Sequence, residues 1–235
     1  DYLGWSVALS SDGSRALVGA RLDDTPFGGT SAGSARVFAR SGSLWTAEAT
    51  LVAPDGGSAD QLGLSVAISS DGSRALVGAP TDDTTAGADA GSARVFSRAG
   101  TTWTAEAILA APDAAAGDAL GGAVALSADG SRALIGATGD DTAAGSGAGS
   151  ARLFLRTGST WTQEVVLLVS GATSGDSTCS SVALSSDGSR ALLGAPDTPV
   201  GCCINGSARA FVRSSTIWTE EATLYAADGA GLSNF

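Results

Sequence analysis

The stretch "SSDGSRALVGA" at Ser10–Ala20 decides the fold, because the chain repeats it. It returns letter for letter at Ser69–Ala79, and with one or two substitutions as "SADGSRALIGA" (Ser127–Ala137) and "SSDGSRALLGA" (Ser185–Ala195). Self-similarity at a fixed period is the sequence signature of repeat architectures, in which neighbouring units bury each other's apolar faces. The chain is therefore interpreted as copies of one unit.

Two columns of residues set the period of this unit. Asp12, Asp71, Asp129 and Asp187 are spaced by 59, 58 and 58 residues, and Trp45, Trp103, Trp161 and Trp218 by 58, 58 and 57. The spacing predicts four repeats that together form one domain. Their predicted bounds are 1–59, 60–117, 118–175 and 176–235.

Each unit is predicted to contain four short strands. "SVALSS" alternates apolar and small polar residues with the period of two of a half-buried strand. The Asp-Gly pair that follows is a strong hairpin signal, and "RALVGA" is the return strand. A loop rich in Asp, Gly and Thr leads to "GSARVFAR", and a short turn leads to "WTAEATLVA". In this last strand, strict alternation predicts one face with Trp45, Ala47, Ala49 and Leu51, and a water-facing side with Thr46, Glu48 and Thr50.

The pattern predicts an all-β fold, because no segment has a helical period. Four antiparallel strands per unit are typical of a propeller blade, and small residues in the first two strands suit a crowded inner edge. A single blade cannot bury both of its faces, so the four blades must stack. We expect a β-propeller or a propeller-like array of four-stranded antiparallel blades.

These residues resemble the FG-GAP repeat family, whose best-known members are the integrin α-subunit propellers. The matching pieces are "LGWSVALS" (Leu3–Ser10) with "LVGA" (Leu17–Ala20), "LGLSVAIS" with "LVGAP" (Leu76–Pro80), "GSARVF" (Gly33–Phe38) and "WTAEATL" (Trp45–Leu51). The resemblance covers all four units and implies a β-propeller in an extracellular setting.

The sequence departs from the family pattern in two ways. The Phe-Gly pair is Leu-Gly in three units and becomes Thr178-Cys179 in the fourth. Integrin-type units carry a calcium loop between their first two strands, whereas this position holds a bare "SDGS" turn with one carboxylate. One carboxylate supplies too few oxygen ligands for calcium, so the calcium function of the integrin loop is not carried over.

Composition and repetition argue against several classes of protein. The net charge of −11 disfavours a nucleic-acid partner, and without His or Lys the chain lacks His bases, His metal sites and Schiff-base lysines. Twelve of its 13 basic residues, all Arg, fall in three repeating columns, and a catalytic residue is normally needed once. We therefore expect no enzyme and no required cofactor. The columns are Arg15/Arg74/Arg132/Arg190, Arg36/Arg94/Arg152/Arg209 and Arg40/Arg98/Arg156/Arg213.

The loop after the second strand, called the rim loop below, is the candidate metal site. With alternating strands it lies on the same rim as Asp1, Asp60 and Asp118, and converging carboxylates would suit Ca²⁺. The alternative is that these side chains bond their own backbone, because no Asp-x-Asp-x-Asp-Gly spacing is present. The candidate calcium ligands are Asp23, Asp24, Asp82, Asp83, Asp89, Asp140 and Asp141.

Aromatic residues and a glycosylation motif give further candidates. The Trp column has two interpretations, blade packing or sugar stacking. Trp5 has no aromatic counterpart in the other units, and is expected to cover the seam of the array or to contact a neighbour. "NGS" at Asn205–Ser207 makes Asn205 the N-glycosylation candidate.

The fourth unit holds all three cysteines, Cys179, Cys202 and Cys203. The start of the first strand and the rim loop share a rim, so we predict a disulfide from Cys179 to Cys202 or Cys203. Such a bond suits an oxidising compartment. The alternative is three buried thiols.

Together these features predict a non-catalytic extracellular structural or adhesive protein, secreted or at a cell surface, that builds a surface, sheath or filament. The alternative is a calcium-assisted propeller that binds carbohydrate or protein. The chain opens on Asp1, and Ser233, Asn234 and Phe235 take the register of Asp60, Gln61 and Leu62. We therefore expect partners that are neighbouring repeats of a longer chain or copies of the protein itself, along with glycans or surface proteins, and no membrane span.

Overall fold

The computed structural model describes residues 1–200, 203–204 and 206–225, and within these ranges the chain forms strands, turns and loops without a helix. Four sheets of four antiparallel strands follow one another along the chain, which confirms the predicted fold class. In each sheet the strands lie in sequence order, so every sheet is a meander of hairpins. We call the four sheets blades 1 to 4.

The strand bounds repeat from blade to blade. Blade 1 contains β1 (Leu3–Leu9), β2 (Arg15–Ala20), β3 (Ser34–Ser41) and β4 (Leu44–Leu51), and blade 2 contains β5 (Ser65–Ile68), β6 (Arg74–Ala79), β7 (Ser92–Ala99) and β8 (Thr102–Leu109). Blade 3 contains β9 (Leu120–Leu126), β10 (Arg132–Ala137), β11 (Ser150–Thr157) and β12 (Thr160–Leu167). Blade 4 contains β13 (Val182–Leu184), β14 (Arg190–Ala195), β17 (Ser207–Ser214) and β18 (Ile217–Leu224), and its rim loop adds the short pair β15 (Pro199–Val200) and β16 (Cys203–Ile204).

The repeated "SDGS" turn is held by its own Asp. In blade 1 the Asp12 carboxylate accepts hydrogen bonds from the Ser10 hydroxyl at 2.7 Å and from the Ser14 N–H at 2.9 Å. Gly13 takes a φ of 65°, a left-handed conformation that favours glycine. The hydrogen bonds of Asp12 that close the turn are therefore all made within blade 1.

The blades stack through three apolar cores, each built from two consecutive blades. The first core joins Leu17, Val37 and Leu51 of blade 1 to Val77 and Phe96 of blade 2. The second and third repeat the arrangement between blades 2 and 3 and between blades 3 and 4. We call the face that packs on the preceding blade the leading face, and the face that packs on the following blade the trailing face.

The fourth strand of each blade departs from strict alternation. In blade 1, Val37 pairs with Ala49 and Phe38 with Ala47, so Glu48 is the extra residue of a β-bulge. The bulge recurs in blades 2, 3 and 4. Because of it, Trp103 lies on the leading face of blade 2 whereas Leu109 lies on the trailing face.

This bulge corrects one prediction from the sequence. Trp45, Ala47, Ala49 and Leu51 were predicted to share a face, with Glu48 in water. Instead the side chain of Glu48 is only 5% exposed. The extra residue shifts the alternation half-way along the strand, which a pattern of period two does not reveal.

The first strands of the blades lie side by side at the inner edge of the array, where β5 contacts both β1 and β9 and β9 contacts β13. Neighbouring backbones come so close here that only glycine fits. A Cβ on Gly78 of β6 would lie 2.0 Å from the Gly121 carbonyl oxygen of blade 3. The small residues of the inner strands are thus required by the stacking.

Candidate functional site

The first Asp of each rim loop is buried and holds the loop to its own blade. In blade 2, Asp82 Oδ2 accepts hydrogen bonds from Ser92 Oγ at 2.5 Å and from Arg94 Nη2 at 3.1 Å. Asp23 has the same partners in blade 1, Ser34 and Arg36. Asp140 has them in blade 3, Ser150 and Arg152.

The second Asp of each rim loop caps the loop from within. Asp24 Oδ1 accepts the Ser31 N–H at 2.8 Å, Asp83 Oδ1 accepts the Asp89 N–H at 2.9 Å, and Asp141 Oδ1 accepts the Gly147 N–H at 2.8 Å. Asp89 adds an exposed side chain and a φ of 52°. Six of the seven candidate calcium ligands therefore act as acceptors within their own loop or blade.

Each rim loop also contacts the segment that opens the next blade, which confirms that the two share a rim. Ala59 N–H donates to the Thr30 carbonyl at 3.0 Å, and Ala119 N–H donates to the Asp89 carbonyl at 3.1 Å. The acids that open blades 2 and 3 are buried at these contacts. Burial, with smaller contributions from Asp82 and Asp140, raises the pKa of Asp60 and Asp118 respectively above the ordinary value.

The rim carboxylates do not converge on one point. Within residues 1–200, 203–204 and 206–225, no group of three or more Asp, Glu, Cys or His side chains is arranged to hold a metal ion. Calcium binding by the seven candidate residues stays a prediction, and it would have to compete with the hydrogen bonds described above.

Blade 4 departs from the other blades at its rim. Thr198 stands where the other rim loops have their first Asp, and its hydroxyl accepts a hydrogen bond from Ser207 at 3.3 Å. Arg209, the counterpart of Arg152, donates through Nη2 to the Ser170 carbonyl at 3.1 Å and lies near Glu220. Its Nη1 is buried without a hydrogen-bond partner among the described residues.

The predicted disulfide also falls on this blade. Cys179 is fully buried in the core between blades 3 and 4, and burial raises the pKa of its thiol to about 12. Cys202 and the side chain of Cys203 lie outside the described residues, so the disulfide stays a prediction. The glycosylation candidate Asn205 and the tail at Ser233, Asn234 and Phe235 also lie outside them.

The bulge residue Glu48 and its counterparts form a polar junction between blades that the sequence did not reveal. In blade 2, Glu106 forms an ion pair with Arg74 of its own blade at 3.4 Å. It also accepts hydrogen bonds from two residues of blade 3, Arg156 at 2.6 Å and Trp161 Nε1 at 2.9 Å. Glu48 likewise binds Arg15 and Trp103 Nε1. The sequence signal for this junction was that the Glu, Trp and Arg columns recur together in every repeat.

The Trp column is thus explained by packing wherever a preceding blade is present. Trp103, Trp161 and Trp218 are half-buried and lie against the three cores. Trp45, on the leading face of blade 1, is 40% exposed.

A backbone ladder links the "SDGS" turns across the array. The Ser11 N–H donates to the Ser70 carbonyl at 3.0 Å, the Ser70 N–H to the Ala128 carbonyl at 2.9 Å, and the Ala128 N–H to the Ser186 carbonyl at 2.9 Å. All three bonds point in the same direction, so the array has an acceptor end at Ser11 and a donor end at Ser186.

One aromatic group occurs only in blade 1. The Arg21 guanidinium stacks on the Trp5 ring at 4.0 Å and lies 5.7 Å from the centre of the Tyr2 ring. The two rings meet edge to face, and both side chains are more than half exposed. Arg21 Nη1 also donates to Gln61 Oε1 at 2.6 Å, so Arg21 joins this aromatic group to the segment that opens blade 2.

The model of the FG-GAP repeat family matches residues 1–38, 45–96 and 103–154, which is more than half of the chain. The chain belongs to the FG-GAP repeat family. Each of the last two matched segments of this FG-GAP protein runs from the fourth strand of one blade to the third strand of the next. Blade 4 lies outside the matched segments and has the same four strands.

Among solved structures, the FG-GAP chain is similar to the periplasmic gluconolactonase of Pseudomonas aeruginosa, with a TM-score of 0.56 and 14% sequence identity. The alignment covers 97% of this chain and 59% of the gluconolactonase chain, so the protein spans less than two thirds of that structure. At this identity the likeness concerns the fold alone. No curated protein matches the sequence.

The described part of the FG-GAP chain contains no helix of the length and apolarity needed to cross a bilayer.

Proposed function

We propose that this FG-GAP repeat protein is a non-catalytic structural or adhesive element of an extracellular assembly, such as a cell surface, a sheath or a filament. One observation carries the proposal. Where two blades are stacked, the recurring polar residues hold strands, loops and blades together. Glu106, for example, is bound by one residue of its own blade and two of the next.

The chemistry of the recurring groups supports the same conclusion. General acid–base catalysis by a carboxyl group requires that the group can reach the substrate. Asp82 and Glu106 are buried and already accept from Arg, Ser or Trp side chains. The likeness to a gluconolactonase does not transfer an activity, because one fold hosts many chemistries.

A second candidate function is carbohydrate or protein binding, assisted by calcium at the rim. The aromatic group of Tyr2, Trp5 and Arg21 favours it, because the two rings are exposed and the group does not recur. Exposed aromatic rings offer flat apolar surfaces to a sugar or a partner protein.

Three measurements on the purified protein test the proposal. We expect no hydrolysis of a panel of sugar lactones, no change in melting temperature between CaCl₂ and EDTA, and no binding on a glycan array. Lactone hydrolysis by the wild type that a second, independent preparation reproduces would overturn the non-catalytic proposal. Glycan binding that Trp5→Ala abolishes, or a calcium-dependent melting shift that Asp83→Asn removes, would favour the second candidate. Immunogold labelling of intact cells tests the location, and internal labelling alone would contradict an extracellular role.

A further inference from the structure

We infer that the boundary between blades 3 and 4 holds a binding site for a small carboxylate anion, with Arg209 as the residue that binds it. The site lies between two blades that are both described, so it does not depend on the outer faces of the array. It goes beyond the proposed structural function, because it concerns a dissolved ligand. Three observations support it.

The first observation is that the arginine of blade 4 lacks both of the acids that hold its counterparts. Arg94 of blade 2 pairs with Asp82 of its own blade and with Asp55 of the preceding blade. In blade 4 the two aspartate positions hold neutral residues, Thr198 and Gly171. The same pairs in blade 3 join Arg152 to Asp140 and Asp113.

The groups around Arg209 leave one N–H group of its guanidinium without an acceptor. The residue is only 7% exposed. Its Nη2 donates to the Ser170 carbonyl at 3.1 Å, and its Nε lies 3.4 Å from Glu220 Oε1. Its Nη1 has no partner among the described residues, whereas Nη1 of Arg152 donates to Asp113 at 2.5 Å. A buried donor without an acceptor costs about 1–3 kcal/mol, so an acceptor supplied by a ligand would be stabilising here.

The second observation is the balance of charge. In blades 2 and 3 each buried guanidinium pairs with two carboxylates, so one positive and two negative charges give a local net charge of −1. Among the described residues Arg209 pairs with one acid, Glu220, which gives zero. Glu220 is held in place by the N–H and the hydroxyl of Ser170, at 3.0 and 2.8 Å. A ligand with a single negative charge restores the balance of the other blades, whereas Glu220 would repel a doubly charged anion more strongly.

The third observation is the open space at Gly171. Its counterpart Asp113 is 67% exposed although it pairs with a buried arginine, so a carboxylate at this position reaches the guanidinium from the surface. Gly171 has no side chain, and a Cβ built on it would meet no atom within 4 Å. The ligand class follows from the other blades, where the same guanidinium nitrogen binds a carboxylate oxygen in a charge-assisted hydrogen bond.

Saturation-transfer difference NMR with acetate as the probe tests the inference on the full chain at constant ionic strength. We expect saturation transfer from the wild type to the acetate methyl group. Thr198→Asp supplies Arg209 with an internal carboxylate and should weaken acetate binding at least about tenfold, because one hydrogen bond between charged groups is no longer available to the ligand. Ala143→Asp, which adds the same charge in the exposed rim loop of blade 3, is the control and should bind acetate like the wild type.

Competition and a second variant complete the test. Formate should displace acetate, whereas sulfate should do so poorly because of Glu220. Arg209→Gln removes the donor and should abolish binding, and circular dichroism checks that this variant folds. A wild type without saturation transfer, or Thr198→Asp that binds acetate as well as the wild type does, would overturn the inference. Sulfate that competes as well as formate would overturn the assignment to a monovalent carboxylate. These outcomes leave the non-catalytic proposal standing, which lactone hydrolysis tests separately.

Discussion

The interface between blades 2 and 3 and the trailing face of blade 4 contain the same columns in two different states. Leu76 and Leu109 are at most 2% exposed, whereas their counterparts Leu192 and Leu224 are 37% and 46% exposed. Glu106 is bound by three residues from two blades, whereas Glu221 has one partner among the described residues. The difference shows that a blade supplies half of each interface and depends on a neighbour for the rest.

The largest expected effect comes from closing the space between inner strands. Gly78→Ala would place its Cβ 2.0 Å from a backbone oxygen of blade 3. Since neither backbone can move away freely, we expect a loss of about 3 kcal/mol or more in the free energy of unfolding, or a fall of roughly 10 °C in melting temperature. Differential scanning calorimetry measures both.

Gly194→Ala is the matched control on the free face. The atom that its Cβ would meet first is Ser181 Oγ, the end of a side chain that can rotate. We expect a cost below about 1 kcal/mol. Equal costs for the two variants would contradict the idea that the neighbouring blade enforces glycine.

The second prediction concerns a substitution that gives the rim loop of blade 3 the residue found in blade 4. Asp140→Thr removes the buried one of the two acids that pair with Arg152, whose side chain is only 2% exposed, and leaves the largely exposed Asp113 as its remaining acidic partner. A hydrogen bond between charged groups is then lost in a buried place, so we expect a cost of about 2 kcal/mol in urea unfolding.

The reverse change, Thr198→Asp, should restore the column in blade 4. It gives Arg209 Nη1 an acceptor that it lacks among the described residues. We expect a gain of about 1 kcal/mol. If Thr198→Asp destabilises the protein, the rim of blade 4 does not simply lack the Asp that pairs with the Arg in the other blades.

Much of this architecture could be predicted from the sequence. The "SDGS" turn, the period of two in "SVALSS" and the fixed spacing of Asp12 and Trp45 depend on local chemistry, and the blades follow from them. The shared rim of the loops and the opening residues followed from strand direction alone. Stacking followed from the apolar content of both faces.

The parts that were missed depend on geometry that a pattern does not encode. The bulge at Glu48 has no recognisable sequence signal, so Glu48 was predicted to lie in water. Which Arg binds which acid also escaped prediction, because Arg156 binds Glu106 of another blade, 50 positions away. The recurrence of these residues in every repeat indicated a structural role, but it did not show which residues are in contact.

A third prediction tests the polar junction at an internal and an external position. Glu106→Gln should cost about 1–2 kcal/mol, because hydrogen bonds to a charged acceptor are weakened. Burial raises the pKa of Glu106, whereas the hydrogen bonds from Arg156 and Trp161 lower it. The lowering is larger than the rise, so the pKa of Glu106 lies below the ordinary value of 4.5. The stabilisation is therefore present above pH 4.5 and is lost as the pH falls through the lowered pKa.

Thermal unfolding of the wild type and of Glu106→Gln between pH 7 and pH 3 measures this pH-dependent stabilisation. The difference between the melting temperatures of the two proteins should become smaller as the pH falls. Glu221→Gln, at the exposed junction, should change monomer stability hardly at all. A pH-independent gap for Glu106→Gln would rule out a role for its charge.

The smallest expected effect is in the turn, where end and internal blades should behave alike. The Ser14 N–H and the Ser10 hydroxyl lower the pKa of Asp12 to about 2. Its contribution is present above the ordinary value of 3.8 and is lost as the pH falls through about 2. Asp12→Asn should lower the melting temperature by about 1 °C at pH 6 and by less near pH 2. Asp71 of the internal blade 2 accepts the same two hydrogen bonds, from Ser69 and Ser73, so Asp71→Asn should have the same effect. A difference between the two variants would show that a neighbouring blade affects the stability of the turn.

The bulge in the fourth strand has a consequence for where the chain tolerates insertions and deletions. Trp45 to Asp71, Trp103 to Asp129 and Trp161 to Asp187 are each 26 positions apart, whereas Asp12 to Trp45, Asp71 to Trp103 and Asp187 to Trp218 are 33, 32 and 31 apart. All the length variation thus lies between Asp and Trp, the part that contains the rim loop. One residue added to or removed from the bulged strand would exchange its two faces and disturb two interfaces at once. A tag, epitope or further domain is therefore best placed in a rim loop.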